Sequence, residues 1–414
     1  MKRRDFLKHS SQLAALGALS SWIPSTSWAK ALRTDQYFMM IQMDGGWDIS
    51  LSVDPWTRGA RPAQEDYFIE YTDDQVFKVG DVLYGPAIAD IKSVLADFSV
   101  IRGIFLSDAD NGHPAAESFM RSGDGAGKYP AINAELVSLW NLNDLGVISS
   151  LPLYTADRNV AMYSIYDLQS LSSSNSSSNN GTQFPGGAMT AGQGSIHNMA
   201  EQIKKFVSIK TDLMKNQDPS MDEFAGIAAA MAAGLSRSIF LETEVGGLDT
   251  HSDHPVTHMR VQKEAWGKIA NAIKFLKATP MPDGQSLFDK TTIVITSEFS
   301  RTPALDASKG KNHNPMLNAA LVSGPGFKKS VAVGGSRLIE RKNSKIGSSY
   351  NIALPMDLDT GRETTHRGDL STGAGVIVTP QVLMATIADS MQISRDIFGC
   401  ADDTTPSIKA ILKT

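Results

Sequence analysis

Cysteine is nearly absent: Cys400 is the only one in 414 residues. No disulfide can close within the chain, so the fold must be held by its core whatever compartment it reaches. No stretch is apolar for long enough to cross a bilayer of roughly 30 Å, and no transmembrane segment is expected in the mature protein. Positive charge is also scarce, with 39 Lys and Arg against 44 Asp and Glu and a formal net charge of −5. An acidic chain argues against nucleic acid and against anionic membrane surfaces as main partners. No internal repeat is visible.

What is present begins with an address. Met1-Lys2-Arg3-Arg4-Asp5-Phe6-Leu7-Lys8 is a basic opening with paired arginines. A weakly apolar stretch from Leu13 to Ile23 follows, then Pro24 and the small-residue exit Ser27-Trp28-Ala29. That is the order of a removable signal, and the arginine pair assigns it to the twin-arginine class. Residues 1–29 are therefore expected to engage the twin-arginine export machinery and deliver a periplasmic or secreted protein. Cleavage is expected after Ala29, with Ala31 as the alternative. Losing four basic residues and one acidic residue takes the formal charge from −5 to −8. The remainder, 42% hydrophobic over the whole chain, is long enough for one large α/β domain or two modest ones.

Beyond the signal, apolar strand-like runs alternate with helical patterns. Tyr37–Met43, Phe98–Ile104, Ser238–Val245 and Thr291–Thr296 read as strands, with Ala319–Ser323 a shorter one. Val256–Ala278 carries apolar residues at Val261, Ala265, Ile269, Ala272, Ile273 and Leu276, the spacing of an amphipathic helix. Ile88–Leu95, 198–216 and 221–235 are also helical in pattern, and Thr379 with Pro380 opens a closing helix. Such alternation predicts an α/β fold with a mostly parallel sheet covered on both faces. The segment 147–235 interrupts the rhythm and is expected to be an insertion capping the sheet. Its Ser/Asn-rich part, 170–181, is too polar to bury.

Chemistry in such sheets sits past the carboxyl ends of the strands, and four of those positions carry polar clusters. They are Asp44-Gly-Gly-Trp-Asp48, Asp108-Ala-Asp-Asn-Gly-His113, Gly246-Gly-Leu-Asp-Thr-His-Ser-Asp-His254, and Ser297-Glu-Phe-Ser-Arg-Thr302 followed by Lys311-Asn-His313. The third is the richest: Asp249, His251 and His254 fall within six residues, and carboxylate oxygen with imidazole nitrogen suits zinc, manganese or iron. Five of the eight histidines, 113, 251, 254, 258 and 313, lie in or beside these loops. His258, one turn into the following helix, is expected to be structural.

Asp44-Gly-Gly-Trp-Asp, Leu248-Asp-Thr-His251, Thr296-Ser-Glu-Phe-Ser-Arg-Thr-Pro303 and Gly310-Lys-Asn-His313 resemble, in this order, the motifs of exported proteins grouped as domain of unknown function 1501. The resemblance spans essentially the whole mature chain. It implies a three-layer α/β/α fold like that of the alkaline phosphatase and sulfatase superfamily. It also implies a two-metal hydrolase of phosphate or sulfate esters. Carried over residue by residue, Asp44 and Glu298 would form one half-site, and Asp249, His251 and His313 the other. Arg301 would clamp a non-bridging oxygen, and His113 stands at the helix start where a nucleophile is expected. Here the chain reads Asn111-Gly112-His113-Pro114, with Ser107 and Ser118 the nearest hydroxyls, and Glu298-Phe299 replaces the superfamily's Asp-His pair.

One or two divalent ions are thus expected, with zinc, manganese, iron and calcium all compatible. Three functions remain open: a metal-dependent hydrolase acting on a small-molecule ester or other anionic ligand, a catalytically silent metal- or ligand-binding protein, and an envelope structural component.

Overall fold

Tyr37–Met43 carries seven uncharged residues in a row and forms strand β1, buried along its entire length. Alternate side chains leave it in opposite directions. Tyr37, Met39, Ile41 and Met43 enter one apolar core, while Phe38 and Met40 enter another. A strand buried on both faces requires helices on both. The first core receives the helices Asp222–Ala233 and His254–Ala278 and Phe206 of Gln193–Leu213. The second receives Gly112–Ser122, Ile132–Trp140 and Pro380–Met391. The architecture is three layers, α/β/α.

This computed structural model describes residues 35–413 apart from 58–67, 111, 141–145, 156–157, 159, 166–167, 169–192, 244, 341–348 and 365–374. The signal at 1–29 and the Ser/Asn-rich 170–181 lie outside the described residues. In chain order the strands after β1 are β2 (Phe77–Val79), β3 (Val82–Tyr84), β4 (Ser99–Ile104), β5 (Val147–Ser149), β6 (Met162–Ser164), β7 (Ser238–Glu242) and β8 (Thr291–Ser297). They continue with β9 (Ser300–Arg301), β10 (His313–Asn314), β11 (Asn318–Ser323), β12 (Ala332–Val333), β13 (Ser336–Glu340) and β14 (Ser349–Ala353).

Eight of these form one sheet in the order β12-β4-β11-β8-β1-β7-β5-β6. Every neighbouring pair is parallel except those made by β11, which runs antiparallel to β4 and β8. The reason is the connection. After β8 the chain turns back through the β9–β10 hairpin without the crossover that a parallel return would need. That return brings the start of β11, and His313 just before it, to the end of the sheet where β1, β7 and β8 finish.

The described parts of 147–235 join the sheet and its helical layer. There β5 and β6 extend the sheet edge beyond β7, and every residue from Phe224 to Ala233 is buried. A helix this rich in alanine lies close to its neighbours, and it stops at Gly234, whose φ of 79° suits a left-handed cap. The expected helix over Ile88–Leu95 is instead a 3-10 turn, Pro86–Ile91. The amphipathic helix starts at His254 and buries Trp266 along with the apolar positions read from the sequence. Among the described residues no helix is long and apolar enough to cross a membrane.

Candidate functional site

The carboxyl ends of β7, β1 and β8 lie side by side, so the residues just past them become neighbours. Asp44 follows β1, Glu298 follows β8, and the loop after β7 carries Asp249 to His251. The loop after β4 delivers Asp110 and, at the start of the helix Gly112–Ser122, His113. The two glycines after Asp44 make the approach possible. Gly45 (φ 103°) leaves so little room that a Cβ there would lie 2.8 Å from the Asp249 amide nitrogen. One on Gly46 (φ 78°) would lie 2.4 Å from the Phe299 ring.

Three imidazoles gather round one carboxylate oxygen. Asp249 Oδ1 lies 3.0 Å from His251 Nε2 and 3.4 Å from the Nε2 atoms of both His113 and His313. His251 Nε2 and His313 Nε2 are 2.9 Å apart. Each ring is held from behind by an acceptor at Nδ1. His113 meets Glu298 Oε1 at 2.9 Å, His313 meets both Asp110 oxygens at 3.1 Å, and His251 meets Asn312 Oδ1 at 3.1 Å. An ionised carboxylate only accepts, so Nδ1 of His113 and His313 carries the proton. In their neutral forms both rings then aim Nε2 lone pairs at Asp249, itself an acceptor. Phe299 packs against this group with ring centroids 4.3 Å from His313 and 5.0 Å from His113.

The second group is made of carboxylates. Ligand-capable atoms of Asp44, Glu117 and Glu298 lie within 4.8 Å of one another, as do those of His113, Asp249 and His313. Glu117 is one helical turn after His113 and shares its face. Glu298 is fully buried and accepts from Gly45 N–H at 2.7 Å, with the Ser297 hydroxyl 2.7 Å from its other oxygen. Arg121 supplies the nearby cation, pairing at 3.2 Å with Glu117 and with Glu242.

The electrostatics follow from this crowding. Burial raises the Asp44 carboxyl, and Glu298 raises it further. Burial likewise raises Glu117, and with Asp44 it pushes Glu242 up to about 7. For Glu298 burial works upward, but the hydrogen bonds from His113 and Ser297 outweigh it and the net shift is down. For Asp249 the opposing effects are burial and Arg301, and Arg301 prevails. The hydrogen bond to Glu298 raises His113, whereas burial lowers His313.

All seven residues singled out from the sequence converge here, but Arg301 does not face outward as a clamp. Its guanidinium donates to the carbonyls of Gly45, Gly46 (3.0 Å) and Lys311 (3.0 Å) and to Asp249 Oδ1 (2.6 Å). Four of its five N–H groups are thereby committed inside the protein. Of the candidate hydroxyls, Ser118 donates to the Asp124 carbonyl at 2.6 Å, and Ser107 Oγ accepts from Ala109 N–H at 3.0 Å. His254, expected beside His251, turns the other way and is fully buried with His258. Glu117 and Asp110 went unread, although the spacing of four between His113 and Glu117 was a usable signal.

Residues 187–371 match the model of a family described as "Protein of unknown function (DUF1501)". The match contains Asp249, His251, Glu298, Arg301 and His313. No curated protein matches the chain. Among solved structures, the lipoteichoic acid synthase LtaP from Listeria monocytogenes is similar at 8% identity. The likeness covers 72% of this chain and 68% of that one, with a TM-score of 0.32. The phosphonate monoester hydrolase SpPMH from Silicibacter pomeroyi is similar at 12% identity over 72% and 69%, TM-score 0.31. Ps i-CgsB in complex with k-i-k-neocarrahexaose is similar at 10% identity over 90% and 75%, TM-score 0.35.

Proposed function

We propose that the chain holds one divalent metal among His113, Asp249, His251 and His313 and a second among Asp44, Glu117 and Glu298. The pair would hydrolyse a small phosphate or sulfate ester. The observation that carries this reading is the meeting of Nε2 lone pairs at Asp249 Oδ1, with the outer nitrogens of the rings held by acceptors. Lone pairs facing a carboxylate repel unless a proton or a metal cation lies between them, and a metal suits three rings converging on one oxygen. Donor atoms 2.9–3.4 Å apart suit an ion about 2.0–2.2 Å from each.

Divalent cations here would supply the positive charge that draws in an anionic ester and stabilises the charge developing on it. The chain's own residues do the rest. Glu298 and Asp110 hold two rings in one tautomer, and Arg301 fixes Asp249 against the Gly45-Gly46 backbone. The Ser118 hydroxyl is committed to the Asp124 carbonyl, and the nucleophile in this reading is water. Three nitrogens and one oxygen suit zinc, iron or manganese; three carboxylates suit a harder ion such as manganese or calcium. We further propose delivery to the periplasm or beyond by the twin-arginine machinery, from residues 1–29. Arg3→Lys with Arg4→Lys should then leave the protein in the cytoplasm, and unchanged export of that variant would sink this assignment.

A second reading has one observation in its favour. Four protein donors already complete a tetrahedral set, as in closed structural metal sites; that describes a metal-binding protein without turnover. Metal analysis of the purified protein and assays of aryl phosphates and sulfates separate the readings. The hydrolase reading expects metal, turnover, and loss of both in His313→Ala and Asp249→Ala. Metal without turnover favours the closed site, and protein free of transition metal rejects both.

A further inference from the structure

Behind the three imidazoles, on the side away from their meeting point, lies a second polar group sealed from solvent. His254, His258 and Gln262 from the helix His254–Ala278 are fully buried, and Asp48, Thr250 and Lys311 nearly so. The His254 and His258 rings stack with centroids 4.3 Å apart. Thr250 Oγ1 lies 2.6 Å from His254 Nδ1 and 2.9 Å from His258 Nδ1. Asp48 N–H donates to His258 Nε2 at 3.0 Å, and Lys311 Nζ reaches Asp48 Oδ2 at 2.5 Å. Glu70 Oε1 is 3.1 Å from His254 Nε2.

The partners give the group one consistent set of protons, with Asp48 N–H shared between His258 Nε2 and Gln262 Oε1. A backbone amide can only donate, so His258 Nε2 accepts and its Nδ1–H points at Thr250. The threonine proton then turns to His254 Nδ1, and His254 Nε2 faces the Glu70 and Asp48 carboxylates without an aligned hydrogen bond. A chain that ends on a backbone N–H has no way to pass a proton onward. It orients; it does not conduct.

What it orients is the set of segments that bear the ligands. Asp48 is four residues after Asp44, Thr250 sits between Asp249 and His251, and Lys311 is two residues before His313. Backbone bonds reinforce the join: Lys311 N–H donates to the Thr250 carbonyl at 3.0 Å and His254 N–H to the Lys309 carbonyl at 2.9 Å. Gly310 must lack a side chain, because a Cβ there would lie 2.0 Å from the His251 carbonyl oxygen. We infer that Thr250, clasped between His254 and His258, is the positioning residue that sets the Asp249–His251 ligand pair against His313. This rests on the metal reading above and assigns the geometry of that site to a buried hydroxyl that touches no ligand atom of it.

The test replaces the hydroxyl and keeps the shape. In the cobalt-loaded protein, Thr250→Val should weaken affinity at the imidazole cluster about 10–100-fold, the range for partners behind a ligand. It should also shift the visible cobalt spectrum, and Thr250→Ser, which keeps the hydroxyl, should restore both. Unchanged affinity and spectrum in folded Thr250→Val, with only a lower melting temperature, would falsify the positioning role. If that variant does not fold, His258→Gln is read by the same two measurements and the same outcomes. Wild type that takes up no cobalt rejects the metal reading itself, before any variant is compared.

Discussion

Five histidines crowd one end of this sheet, and they form two groups that use the same ring in opposite ways. His113, His251 and His313 are held at Nδ1 by acceptors and bring their Nε2 atoms together around Asp249. His254 and His258 bring their Nδ1 atoms to one threonine hydroxyl and are shut away from water. The first group brings ring nitrogens and a carboxylate oxygen face to face, an arrangement that a metal cation or a proton at Nε2 satisfies. The second joins its Nδ1 atoms through one hydroxyl and is shut away from solvent. Proximity of histidines therefore says little; the direction of the outer hydrogen bond tells a ligand from a brace.

The largest effects should come from exchanging one residue of each group. His251→Ala is expected to weaken metal binding by more than about 100-fold, exceeding the outer-partner range. Because His251 is half-exposed, the metal-free protein should keep its denaturation midpoint. His254→Ala should destabilise the metal-free protein by about 2–4 kcal/mol, through a cavity and a stranded hydroxyl. Equal stability losses in the two variants, read from denaturant curves, would erase the distinction. A smaller effect sharpens it: Asp110→Asn should cost about 10–100-fold in metal affinity by weakening the hold on His313 Nδ1. Chelator competition that finds no loss would remove Asp110 from the site.

The smallest effect concerns the carboxylates. Glu242 titrates near 7 in the folded protein and near 4.3 in an unfolded chain, so the folded state holds its proton longer. Stability from this group is highest below about pH 4.3, falls as pH rises towards 7, and is flat above. Glu242→Gln cannot ionise and removes that slope. Its melting temperature relative to wild type, metal-free, should rise across this window by the equivalent of on the order of 1 kcal/mol. A difference that does not vary between pH 4 and 8 would show that Glu242 is not held protonated.

Much of this was written plainly in the chain. Tyr37–Met43 is a strand to the residue because seven uncharged residues run up to Asp44-Gly-Gly. The polar residues after β1, β7 and β8 meet because parallel neighbours end together. The direction of β11 was hidden, since Asn318–Ser323 reads the same upward or downward and the hairpin before it decides. His254 was hidden for a related reason. Asp249, His251 and His254 look like one ligand set in sequence, but a helix begins at His254 and turns it to the face it shares with His258 and Gln262. The segment 147–235 misled because short strands between polar loops look like an appendage until they pair with β7. Arg301 misled because its charge advertises a ligand, while its neighbours are carbonyls of the chain itself.

Those carbonyls set a timetable for assembly. Arg301 joins Gly45 and Gly46, more than 250 residues earlier, to Asp249 and Lys311, and the imidazoles come from positions 113, 251 and 313. No short fragment contains the site, and contacts of such sequence separation form late in folding. Capture of the proposed ion would thus report that folding has finished. A metal added during refolding should speed nothing at the start and should hold the last step once it is reached.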